Sequence, residues 1–140
     1  MPTFEDALLI ACEAHRGQKD RYGQPYILHP LRVMARMRTE EERMVAILHD
    51  VVEDTPWTLD QLRDRGFSGE VVAAVEALTK LVGEPYEQLI ARAGDNPLAR
   101  KVKLADLEDN MDLRRVTEIT EADLERLRKY RRAWGKLSAL

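Results

Sequence analysis

Apolar residues recur at helical spacing along nearly the whole chain, and no stretch alternates at the period of two expected of a half-buried strand. Phe4, Ala7, Leu8, Ala11 and Cys12 share one face of a first segment, Thr3–His15, with Thr3 and Asp6 placed as a capping box in its shorter acidic form. Arg16–Pro30 has no period but two Gly and two Pro, which predicts a loop with turns. His29-Pro30 opens a second helix, with Pro in its first turn. Thr39 caps a third, which runs through Met44–Thr55 until Pro56 closes it. Thr58 and Gln61 box a short helix that stops at Gly66, and Ser68 caps Gly69–Lys80. After Gly83 and Pro85 come Tyr86–Ala93, a long helix from Asn96-Pro97 to about Arg115, and a last one from Thr120 to about Leu137. The β-branched residues fall on these spacings, so the pattern predicts an all-α compact bundle of about eight helices, with residues 1–140 as one domain.

Composition narrows the function classes. The formal charge is −3 and the basic residues are spread out, so the chain carries no nucleic-acid footprint. No apolar run is long enough to span a membrane, and acids stand near the N-terminus where a signal peptide has basic residues, so a cytoplasmic protein is expected. The one Cys, Cys12, has apolar neighbours and is expected as a buried structural thiol. Eight amphipathic helices are compatible with a monomer or with an apolar face kept for a partner.

Two segments carry chemistry. In Met44–Thr55, MVAILHDVVEDT, the residues Met44, Ile47, Leu48, Val51 and Val52 form an apolar stripe, and His49, Asp50, Glu53 and Asp54 gather opposite it. A solvated polar face is the competing reading. However, no Lys or Arg occurs from position 44 to 62, and crowded carboxylates repel unless a cation sits among them. In Lys101–Arg115, the residues Glu108, Asp109 and Asp112 make an acidic outer face, while Lys103, Asp106, Asn110 and Arg114 run between two apolar flanks and should point inward. A buried Asp106 needs a partner: an internal salt bridge with Lys103 or Arg100, or a ligand role shared with the 49–54 patch. His29, His49, Asp50 and Asp106 together make a mixed N/O set suited to Mn²⁺, Fe²⁺ or Zn²⁺. Glu53 and Asp54 lie one turn past the His-Asp pair, in place to orient or deprotonate a water. In the loop, Arg16, Lys19 and Arg21 interleave with Tyr22 and Tyr26, as a solvated connector or as a surface for a phosphorylated aromatic ligand.

The ordered blocks GQxxxxGxPYxxHP, LHDVVEDT, LTKL and KLADxxxN, spanning Ala14–Arg115, resemble the HD phosphohydrolase superfamily, and within it the hydrolase domain of the RelA/SpoT family and the small stand-alone alarmone hydrolases. The resemblance implies an all-α fold and a Mn²⁺ ion held by His29, His49, Asp50 and Asp106. It also implies that Glu53 and Asp54 position the attacking water and that Asn110 lines the substrate. The family reaction removes pyrophosphate from the 3′ position of guanosine tetra- or pentaphosphate.

Several positions depart from the family pattern. Asp20-Arg21 stands where the family carries Arg-Lys, Tyr22 replaces the following Ser, and Leu107 and Asp109 replace Arg and His in the KLADRLHNM block. The expected function is thus a metal-dependent phosphohydrolase acting on a small-molecule nucleotide or phosphate ester, with alarmone hydrolysis leading. Lys19, Arg21, Tyr26, Lys103, Asn110 and Arg114 are the expected substrate contacts, and Lys80 joins them on the resemblance. Hydrolysis of another nucleotide and a non-catalytic, metal-stabilised regulatory module are the alternatives.

Overall fold

The structure is a computed structural model that describes all residues, Met1–Leu140. It contains nine α-helices: α1 (Phe4–Ala14), α2 (Leu28–Ala35), α3 (Glu40–Leu48), α4 (Val51–Asp54), α5 (Leu59–Asp64), α6 (Gly69–Leu78), α7 (Tyr86–Gly94), α8 (Pro97–Asn110) and α9 (Glu121–Ser138). A 3₁₀ turn, Leu113–Arg115, separates α8 from α9. The all-α expectation holds; the β pairing consists of a single bridge between Lys19 and Pro25 in the loop after α1. No helix is long and apolar enough to cross a membrane.

Local signals set the helix starts. Thr3, Thr39, Thr58 and Thr120 each accept from the backbone N–H three residues on, and the acid or amide at that position bonds back to the cap. Ser68 and Asn96 cap α6 and α8 with their side-chain oxygens. Each such cap contributes about 1 kcal/mol. In the α3 box, Glu42 also reaches Lys101 Nζ at 2.8 Å and so ties α3 to α8.

α3 is the centre of the bundle. Val45, Ala46, Ile47 and Leu48 are fully buried, and α1, α2, α6 and α8 pack around them. The second half of α3, Met44–Leu48, is apolar all round and so belongs in the interior, where each such Ile or Leu contributes roughly 1.5–3 kcal/mol. A smaller cluster of Ile90, Leu107, Ala133 and Leu137 seats α9 on α7 and α8.

Three local expectations are corrected. Cys12 is exposed, because α1 turns Ala7, Ile10 and Ala11 inward and leaves Cys12 beyond that face. The third predicted helix is two, α3 and α4, with a break at His49-Asp50. His49 Nδ1–H donates to Ala46 O at 2.5 Å, competing for the carbonyl that Asp50 N–H would take in an unbroken helix. Finally, α8 ends at Asn110 rather than near Arg115, since Asp112 caps the 3₁₀ turn by accepting from Arg114 N at 3.1 Å.

Candidate metal and phosphate site

The break after α3 places His49 and Asp50 against the start of α2 and the middle of α8. There His29, His49, Asp50 and Asp106 meet. His29 Nε2 lies 2.8 Å from Asp106 Oδ1 and 3.8 Å from Asp50 Oδ2. His49 Nε2 lies 3.1 Å from Asp50 Oδ2 and 3.5 Å from Asp106 Oδ1. Ligand atoms of His29, His49 and Asp50 all fall within 4.8 Å of one another.

The cluster fits a metal ion. His49 Nδ1 is committed to the Ala46 carbonyl, which can only accept, and the buried Nε2 makes no aligned hydrogen bond although Asp50 Oδ2 lies 3.1 Å away. Such an imidazole nitrogen facing two carboxylates is a donor set for a divalent cation. The electrostatics agree. Burial opposes charge on His29, yet hydrogen bonds to Asp106 and Asp109 outweigh it and lift its pKa to about 9. Burial likewise opposes charge on His49, but Asp50 and Asp106 raise it well above the usual imidazole range. The two carboxylates therefore demand positive charge, which a proton or a cation can supply.

Asp106 makes the expected salt bridge and also faces the His/Asp cluster. Its Oδ2 takes Lys103 Nζ at 2.8 Å, while Oδ1 faces the imidazoles and accepts from Asn110 Nδ2 at 3.2 Å. Arg100 is turned away and donates to Gly94 O. Tyr26 is half-buried, with its ring 5.0 Å from that of His15 and 5.9 Å from that of His29, and its hydroxyl donates to Asp50 Oδ2 at 2.5 Å.

Above the cluster opens a cavity of about 560 Å³. Lys19, Arg21, Tyr22 and Tyr26 line it from the loop after α1, Glu53 and Asp54 from α4, Lys80 from the α6–α7 connection, and Lys103, Asp106 and Asn110 from α8. Glu53 Oε1 accepts from Lys80 N at 2.7 Å, and Arg92 holds the same connection by donating to Thr79 O and to Glu84. Burial raises the Asp54 pKa to about 6, helped by the charges of Asp50 and Glu53. Gln18 Nε2 donates to Asp54 O at 3.0 Å, joining the loop to α4.

Two further expectations fail here. Arg114 does not enter the cavity: α8 has already ended, and its exposed guanidinium pairs with Asp112 at 2.7 Å. Asp109 is not on an outer face. It is buried, with Oδ2 2.7 Å from His29 Nδ1 and Oδ1 2.8 Å from Arg32 Nε. The sequence reading also missed Arg32, Arg115, Tyr86, Lys129 and Tyr130, all of which line the cavity. Lys129 Nζ sits 4.5 Å from the centre of the Tyr86 ring and 5.3 Å from that of Tyr130.

An all-helical bundle with a His/Asp cluster at the foot of a cleft lined by both cations and acids points to the class, and the comparisons agree with it. The sequence model of the HD domain matches residues 7–131, and the chain belongs to that family. The guanosine-3′,5′-bis(diphosphate) 3′-pyrophosphohydrolase of Aquifex aeolicus is 35% identical over 120 residues, which is 77% of this chain and 17% of that protein. The bifunctional (p)ppGpp synthase/hydrolase SpoT of Escherichia coli is 35% identical over 123 residues, with the same 77% and 17% covered. The chain thus spans less than a fifth of the length of these relatives. Among solved structures, one titled as a metazoan ortholog of SpoT that hydrolyzes ppGpp superposes with a TM-score of 0.77 at 27% identity, covering 96% of this chain and 84% of that one.

Proposed function

We propose that this chain is a metal-dependent phosphohydrolase that releases pyrophosphate from the 3′ position of guanosine tetra- or pentaphosphate. The carrying observation is the buried Nε2 of His49, without an aligned hydrogen bond, facing Asp50 and Asp106 at the foot of a cavity lined by Lys and Arg as well as by acids. The names borne by the relatives and by the structural match supply the substrate class.

His29, His49, Asp50 and Asp106 would hold the cation, with Mn²⁺ the first choice and Fe²⁺ or Zn²⁺ the alternatives. When bound, it supplies Lewis acidity and lowers the pKa of water. The chain's own residues do the rest. Glu53 and Asp54 stand at the mouth, and Asp54, with its pKa near 6, takes a water proton more readily than an ordinary carboxylate. That water attacks the phosphorus on the 3′ oxygen, the P–O3′ bond breaks, and the 3′ oxygen leaves with a proton. Lys19, Arg21, Lys80 and Lys103 line the cavity and would meet the phosphates, with Asn110 bonded to Asp106 beside them. Asp20 lines the same cavity, and its charge favours a second reading, hydrolysis of a less highly charged nucleotide.

The test is pyrophosphate and phosphate release from guanosine tetraphosphate, nucleoside monophosphates and a cyclic nucleotide. It uses protein stripped of metal and reloaded with Mn²⁺, Fe²⁺ or Zn²⁺, beside Asp50→Ala. Pyrophosphate from the tetraphosphate that requires metal and Asp50 supports the first reading. Release from another member alone moves the function to the second. Metal-loaded protein that turns over none of them overturns both and leaves a regulatory module.

A further inference from the structure

α8 grips a single imidazole with two carboxylates. Asp106 and Asp109 are three residues apart and share a helix face. Asp106 Oδ1 lies 2.8 Å from His29 Nε2 and Asp109 Oδ2 lies 2.7 Å from His29 Nδ1. Two of these groups belong to the metal cluster and Asp109 does not. Its oxygens are already engaged: Arg32 Nε donates to Oδ1 at 2.8 Å and Arg32 Nη2 to Oδ2 at 3.1 Å. Arg115 stands behind, with Nη2 bonded to Asp109 O at 2.8 Å and 3.5 Å from Oδ2.

We infer that Asp109 is a positioning residue for the metal centre: it accepts the Nδ1–H of His29 and thereby fixes that ring with Nε2 aimed at the cation. The inference rests on the metal-centre reading above and assigns a task to a residue outside the ligand set. An imidazole can bind a cation through either nitrogen, and a carboxylate on one nitrogen decides which. The Asp109 side chain is only 2% exposed, so it cannot swing to solvent. Arg32 and Arg115 balance its charge and hold its orientation, which makes the acceptor rigid. The arrangement also explains why an acid can stand at this point of α8: it is fully satisfied by a ring on α2, a guanidinium on α2 and a guanidinium in the 3₁₀ turn.

The experiment is Mn²⁺ binding to metal-stripped protein, by calorimetry, for wild type, Asp109→Ala, Asp109→Asn and His49→Ala. Helical circular dichroism and thermal unfolding of the stripped proteins check the fold. A second readout follows the His29 Nδ1–H proton by NMR in Zn²⁺-loaded protein. Asp109→Ala is expected to raise the Mn²⁺ Kd by about 10- to 100-fold. Asp109→Asn keeps an oxygen for Nδ1–H, so it should recover part of that loss. The Nδ1–H resonance should be slow to exchange in wild type and lost in Asp109→Ala. If Asp109→Ala does not fold, Asp109→Asn carries the test through its exchange rate and a Kd raised above that of wild type. A folded Asp109→Ala that binds Mn²⁺ within about 2-fold of wild type overturns the inference and leaves the metal centre standing. Wild type that binds no more Mn²⁺ than His49→Ala overturns the metal centre and the inference together. Failure of guanosine tetraphosphate hydrolysis alone touches neither.

Discussion

The hydroxyl of Tyr26 donates to Asp50 Oδ2 at 2.5 Å, so the loop after α1 reaches one of the expected metal ligands directly. The Tyr26 ring is held in place by those of His15 and His29 on either side. Tyr26→Phe keeps the ring and deletes the donor. Removing an orienting hydrogen bond from a ligand of this kind costs about 10-fold or more in metal affinity or kcat. The expected result is weaker Mn²⁺ binding with KM for substrate little changed. A rise in KM alone would instead mark Tyr26 as a direct substrate contact. Titration of Mn²⁺ beside steady-state kinetics separates the two.

Lys129 extends the site onto α9. It is held over the faces of Tyr86 and Tyr130, and burial together with the charges of Lys103 and Lys80 lowers its pKa. Mutually repelling ammonium groups around one cavity are relieved by an anion. Lys129→Ala should raise KM about 10-fold, the loss of one charged hydrogen bond, with kcat and Tm little changed. KM of the wild type should also rise with ionic strength, and less steeply in the variant. Kinetics at two salt concentrations check both statements.

What could be read from the sequence, and what could not, follows the range of the interactions involved. Thr3, Thr39, Thr58, Ser68, Asn96 and Thr120 were legible as helix starts because a cap is a contact across three residues. Asp106 was legible because a charged group at an inward position of an apolar helix needs a partner, His49 and Asp50 because they sit in a crowded acidic patch with no Lys or Arg from position 44 to 62, and His29 through the H…HD…D order shared with the family. The break at His49 was hidden, since the ring displaces a helical hydrogen bond without any Gly or Pro to announce it. Asp109 was misplaced for a different reason. Its partners Arg32 and His29 lie more than 70 residues away, so the wheel of α8 alone could not show that this flank is covered by α2. The spacing of three from Asp106 was the available signal. Lys129 and Tyr130 enter the cavity only because Ala133 and Leu137 seat α9 on α7 and α8, a packing choice that periodicity does not specify.

Glu42 predicts the acid limit of the fold. Lys101, followed by the backbone N–H groups of Arg38 and Thr39, holds its pKa at about 2, below the ordinary 4.5. A depressed carboxylate pKa stabilises the folded state above the unfolded value and loses that contribution as pH falls through the folded one. Glu42→Gln should therefore be less stable than wild type at pH 7, by roughly 1–3 kcal/mol for a charged hydrogen bond. The gap should narrow below about pH 4.5 and close near pH 2. Urea unfolding of both proteins across this range is the measurement; a gap independent of pH would mean that side-chain shape, not charge, is what the position requires.

Asp20 offers the sharpest handle on substrate choice. Its Oδ1 accepts from Tyr22 N at 2.8 Å and Gln24 N at 3.0 Å, while its own N–H donates to Gln24 O at 2.8 Å. The acid is therefore the clasp of the turn that carries Arg21 and Tyr22, as well as a negative charge lining the cavity. Asp20→Arg mixes two effects, since it reverses the charge and removes the clasp. Asp20→Asn separates them: the amide oxygen still accepts from both backbone donors, and only the charge is lost. If a polyphosphate is the substrate, removing that charge should lower its KM by about 3- to 10-fold, with Tm unchanged, because one repulsive charge has left the approach to the phosphates. If the natural substrate instead uses the carboxylate as an acceptor, Asp20→Asn should raise KM for that substrate while still lowering it for guanosine tetraphosphate. Running both variants on the same nucleotide panel at low salt makes the sign of the change the readout, and equal KM values throughout would confine Asp20 to folding the turn.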